Sequence, residues 1–190
     1  MAQKPPLKTL ADLLAQAEDY ATWAMRKSGS VPPTMMGLSP RGPLMFVPSD
    51  LSDERAKDNF ANTARLICVA HDATAAVMIL ESWMSTAKPG ETLDTTEPPS
   101  ESMDRREIVL LTGETRTGFK QKILPIIRTG VGGFFGFGEF KGPSADSYQG
   151  RFAQILLPKR PTKEMQSQAR MLLAAIGITD AKLRNDPTRN

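Results

Sequence analysis

Histidine and cysteine are almost missing from this chain, which has one of each, His71 and Cys68, in 190 residues. A single cysteine closes no intrachain disulfide, and its scarcity fits a reducing compartment such as the cytoplasm. A single histidine excludes sites built from several imidazoles. Aromatic residues other than phenylalanine are also scarce, with two Trp and two Tyr. The N-terminal stretch MAQKPPLKTLADLLAQAEDY lacks the unbroken apolar core of a signal peptide, and no apolar run approaches bilayer-spanning length. Neither sign of charge dominates, since a net charge of +3 is too small to mark a nucleic-acid face. The sequences G-x-S-x-G, Walker A and H-E-x-x-H do not occur. These absences lead to the expectation of a soluble cytoplasmic protein without cofactor or metal, away from membranes, with nucleic acid disfavoured as a partner.

The chain that remains is globular in composition. Hydrophobic residues make up 40% and charged residues 24%, enough for a real core. Leu10, Leu13, Leu14, Ala17, Ala21 and Ala24 recur at helical spacing behind Thr9, which predicts a capped helix from about Leu10 to Lys27, stopped at Gly29. Two short apolar runs around a Pro/Gly turn predict a hairpin from Thr34 to Val47. Ser52 begins a second helix, whose stripe of Ala56, Phe60, Thr63, Ala64, Ile67 and Ala70 ends near His71. AAVMILESWM reads as a central strand, with Val77, Ile79, Glu81 and Trp83 on one side. REIVLLTGE, GFKQKILPIIRTG and GRFAQILLP read as three more strands, with Pro125 implying an edge or bulge. A last helix spans about Pro161 to Ile176, with Met165, Ala169, Leu172, Leu173 and Ile176 as its stripe. The stretch from Ser85 to Asp104 has no aromatic residue and an acidic bias, and reads as a mobile loop.

The order α-β-β-α-β-β-β-β-α implies the α+β class, with one mainly antiparallel sheet and packed helices. It implies a single domain over residues 1–180, followed by a polar tail at 181–190. This element order resembles that of the roadblock and profilin-like folds, which start and end with helices around such a sheet. The additional strand departs from that pattern, and order alone carries no function.

Three groups of residues bear on function. Cys68, His71 and Asp72 form C-x-x-H-D near a helix end, where residues three apart share a face. A zinc site would need two more ligands, and Glu81 or Asp104 would supply only oxygen. Periodicity instead puts Cys68 on the apolar side, as an inert thiol. Glu81, Arg105, Arg106, Glu107 and Arg128 fall near strand ends that a meander would bring together. They form a candidate cluster for an anionic small molecule, with structural ion pairing as the alternative. On this reading the chain would be a small enzyme or a ligand-binding protein.

The third group is VGGFFGFGEF, which holds four of the eight phenylalanines, Phe134, Phe135, Phe137 and Phe140, among glycines. No helix follows, so it is not a dinucleotide fingerprint. The rings either fold back over the core or form a surface that docks a second copy or another protein. Lys120, Lys122 and Arg128 interleave with aromatic residues, yet alternation places them on a solvated face, and no RNA-binding signature accompanies them. The leading expectation is a non-enzymatic interaction module that self-associates as a homodimer, with catalysis left open.

Overall fold

The computed structural model describes residues 6–49, 51–85, 98, 100–140 and 150–184. Six strands form one antiparallel sheet, flanked on one face by helix α1 and on the other by α2 and α3. The elements are α1 (Leu10–Ser28), β1 (Thr34–Ser39), β2 (Gly42–Phe46), α2 (Glu54–Ala70), β3 (Ala75–Met84), β4 (Arg106–Thr115), β5 (Phe119–Arg128), β6 (Phe134–Phe137), α3 (Lys163–Ala175) and α4 (Asp180–Leu183). The spatial order is β2-β1-β3-β4-β5-β6. The α+β class and the single antiparallel sheet are therefore those read from the sequence.

Helix α1 starts where its cap predicts. Thr9 accepts from the Asp12 amide while the Asp12 carboxylate accepts from the Thr9 amide, and Gly29 closes the helix at φ 76°. Leu13, Ala17, Ala21 and Ala24 lie against Val77, Ile79, Val109 and Leu111. Fully burying each large aliphatic chain contributes about 1.5–3 kcal/mol. The approach of α1 to β4 depends on Gly113, where a Cβ would meet Leu10 at 2.8 Å and Leu14 at 3.2 Å. On the other face, Met35, Leu44, Ala76 and Met78 pack under Phe60, Ala64, Ile67 and Cys68 of α2. Helix α2 is capped by Asp53, one residue later than the sequence suggests, through a 2.6 Å bond from the Ala56 amide.

Several elements differ from the sequence reading. GRFAQILLP is not a strand: residues 150–158 run as turns and coil, and the sixth strand is Phe134–Phe137. Ladder pairing of residues 151–156 is replaced by two side chains. The Glu114 carboxylate accepts from the amides of Gln154 (2.8 Å), Ile155 (2.9 Å) and Leu156 (3.5 Å). Arg65 donates to the carbonyls of Arg151 (2.8 Å), Ala153 (3.0 Å) and Gln154 (3.3 Å). Together they satisfy the backbone groups that a neighbouring strand would otherwise take.

Pro125 lies inside the sheet rather than at its edge. Its carbonyl accepts from Gly138 beyond the end of β6, so its missing N–H falls where that pairing runs out, and a register shift follows at Ile127/Arg128. In α3 only Ala169 and Leu173 of the predicted stripe are buried, while Leu172 and Ile176 are more than half exposed. The helix packs chiefly on α2 and not on the sheet, so a narrower stripe suffices. The expected tail begins later than residue 181, because Leu183 of α4 is 1% exposed and belongs to the core. Most of the stretch read as a mobile loop, 86–97 and residue 99, lies outside the described residues, as do 185–190 of the tail.

Candidate functional site

Cys68 settles one question of reactivity. It is buried among the α2-side core residues, and burial, helped by the Glu114 charge, pushes its thiol up to about 12. A thiol held that high is protonated at neutral pH and is a poor nucleophile or ligand. Among the described residues no group of three or more His, Cys, Asp and Glu is placed to hold a metal ion. The native protein is expected to resist a maleimide at pH 7.5 and to react fully in denaturant. Stoichiometric labelling of the native protein within minutes would show that the thiol is open to solvent.

The Glu/Arg group is only partly assembled. Glu107 and Trp83 are cross-strand partners, and Glu81 opposes Val109, so these side chains share the α1 face. Arg128 forms a two-point pair with Glu107, through Nε to Oε2 and Nη2 to Oε1. Hydrogen bonding to Glu107, with the charge of Glu81 adding to it, raises the Arg128 pKa above its ordinary value. The Glu81 carboxylate accepts from the Val31 amide at 2.7 Å, fixing the entry to β1. Arg105 stacks its guanidinium over Trp83 at 4.8 Å and donates to the Ser100 carbonyl. Arg106 pairs with Met84, and strand alternation turns it to the opposite face from Glu107. Each acid in this group thus already holds a partner from a neighbouring segment.

Lys120 and Lys122 are exposed, as alternation predicts, and Arg128 is half-buried. Lys122 points to the α1 side, where its ammonium pairs with Glu18, and Arg128 is taken by Glu107.

The Gly-Phe stretch divides its rings between two roles. Phe134 and Phe137 pack on the α1-side core and meet edge to face, with centroids 5.0 Å apart. Phe140 is half-buried. Phe135, between the inward rings, is 74% exposed, and Ile127 of β5 is 42% exposed. The tight turn from Thr129 to Gly133 that brings β6 back uses Gly132 at φ 85°, and Val131 at its tip is 96% exposed. The register shift at Ile127/Arg128 explains the split: Phe134 pairs with Arg128 and Phe137 with Ile126, so Phe135 is left over at the irregularity and faces out while both paired rings turn inward.

The two sheet edges differ in kind. Strand β2 carries Pro43, is followed by Pro48, and has α4 leaning against it. These are the usual ways of blunting an edge. Strand β6 has neither proline nor charge, and among the described residues no strand lies beyond it.

A groove of about 830 Å³ runs beside β2, lined by Trp23, Phe46, Val47, Phe60 and Ile178 among others. Among the described residues Lys182 is the one charged residue lining it, beside the polar Tyr20, Ser49, Asn59 and Thr63. No helix among the described residues is long and apolar enough to cross a membrane. No protein-family model matches the chain, and no curated protein or solved structure is significantly similar to it, so its site is read from its own residues.

Proposed function

We propose that this chain is a non-enzymatic protein–protein interaction module of the cytoplasm that pairs with a second copy of itself through β6. The observation that carries this reading is a short edge strand without charge or proline whose ring Phe135, left over at the register shift, is 74% exposed. An antiparallel edge is self-complementary, because two copies of β6 related by a two-fold axis exchange the same backbone donors and acceptors. Such pairing joins two six-stranded sheets into one continuous sheet and brings Phe135 beside its symmetry mate. The glycines beside the rings leave room for a close backbone approach. A cytoplasmic location fits the single, buried cysteine.

The test is the mass of the native particle. The wild-type chain is expected to be a dimer at micromolar concentration, and Phe135→Asp a monomer with an unchanged circular dichroism spectrum. Phe134 is a poor choice for this test, because it packs on the core and its loss would confound assembly with folding. A wild-type monomer at 100 μM, or a dimer that survives Phe135→Asp, would overturn the reading.

A further inference from the structure

We infer that the cavity between the β1–β2 turn, the C-terminal end of α2 and the start of α3 binds a phosphate group. The cavity measures about 460 Å³, the size of a small-molecule site. Arg41, His71, Asp72, Arg160, Lys163 and Arg170 line it. Four cationic side chains from separate parts of the sequence thus meet one carboxylate. That carboxylate is already committed, since Asp72 takes Arg116 on one oxygen and Arg160 on the other. Arg170 uses Nε on the Ala70 carbonyl, and neither its terminal nitrogens nor the Lys163 ammonium has a carboxylate partner among the described residues. Arg41 reaches Asp180 only at 4.0 Å.

His71 also lines the cavity. Its side chain is 4% exposed, and its polar contact, Asp180 Oδ1 at 3.6 Å, is longer than a hydrogen bond. Burial holds its pKa below the ordinary value, and Arg184, Arg170 and Arg41 push the same way against Asp180. The start of α3 is not what supplies the attraction, because its first turn already caps itself through Thr162 and Glu164.

Several cations converging on one cavity suit a dianion with three terminal oxygens better than a carboxylate, which one arginine satisfies. Among the described residues no Phe, Tyr or Trp lines the cavity, so these offer no platform for stacking nucleic-acid bases.

The full-length chain should be titrated with inorganic phosphate and, separately, with glycerol 3-phosphate. Binding is read by calorimetry and by thermal unfolding, against sodium chloride at matched ionic strength. Saturable binding is expected, weakened at least tenfold in Lys163→Ala and in Arg41→Ala. Both side chains lie at exposed positions, so the variants should keep the fold. Tighter binding of the ester than of inorganic phosphate would mark an organic phosphate as the ligand, and the reverse would mark free phosphate. Stabilisation no greater than that given by chloride, or affinity unchanged within twofold in both variants, would overturn the inference. Phe135→Asp should bind phosphate like wild type, which separates this site from the β6 surface.

Discussion

Glu114→Ala is expected to destabilise the protein by about 3 kcal/mol, because the substitution orphans the amides of Gln154, Ile155 and Leu156 together. Ile155 and Leu156 are buried, so water cannot readily replace the carboxylate. In a chain of this size the loss corresponds to a fall in Tm of roughly 6–12 °C. Glu114→Gln should not rescue it. The amide keeps one acceptor but turns the other into a donor aimed at an N–H group. Amide exchange at residues 154–156 should accelerate more than exchange in β3, since the clamp holds that segment while the central strand keeps its ladder. Arg65→Ala should loosen the same residues by a smaller amount, because its carbonyl partners retain some access to water. A Glu114→Ala protein that melts within a degree of wild type, with unchanged exchange at 154–156, would show that the segment is held by its apolar side chains alone.

Asp72→Ala is expected to cost roughly 3 kcal/mol by leaving a partly buried guanidinium without its counter-ion. Asp72 ends α2 in the left-handed region, at φ 50°, and its side chain is 9% exposed. There it ties the β4–β5 turn, through Arg116 at 3.0 Å, and the chain ahead of α3, through Arg160, to one helix end. Arg116 Nε is buried without a hydrogen-bond partner, so this arginine depends on Asp72 all the more. Arg160 is 75% exposed, and Arg160→Ala should cost less than about 1 kcal/mol. Asp72→Gly separates the ion pair from the backbone, because glycine accepts the positive φ without strain. It should still lose most of the stability that Asp72→Ala loses. Chemical denaturation of the four proteins checks the ranking. Equal losses for Asp72→Ala and Arg160→Ala, or recovery in Asp72→Gly, would refute the ion-pair account.

Both predictions concern residues that have no local signature. Glu114 sits on the inward parity of β4 with Leu110 and Thr112, which is the one hint available in the sequence that it faces a partner. Its partner segment begins forty residues later and was legible only as an apolar run. A short apolar run predicts burial, and it does not say whether a strand or a pair of side chains will satisfy its backbone. Phe134–Phe137 went the other way. It was not among the strands read from the sequence, yet the turn at Gly132 folded it back against β5 with a register shift.

The sequence by itself determined the features that depend on near neighbours in the chain. Thr9 with Asp12 placed the start of α1, the alternation in β3 assigned Val77 and Met78 to opposite faces, and the α+β class followed from the order of such elements. Cap geometry and pleat parity are properties of a few consecutive residues, so a linear reading captures them. Only the tertiary structure decided which edge of the sheet stayed bare, that Arg128 reached Glu107, and that Arg41, Arg160, Lys163 and Arg170 share a cavity. Those relations depend on strand order and on the docking of α3 against α2. They are set by which apolar faces bury each other, and no short stretch of sequence carries that information.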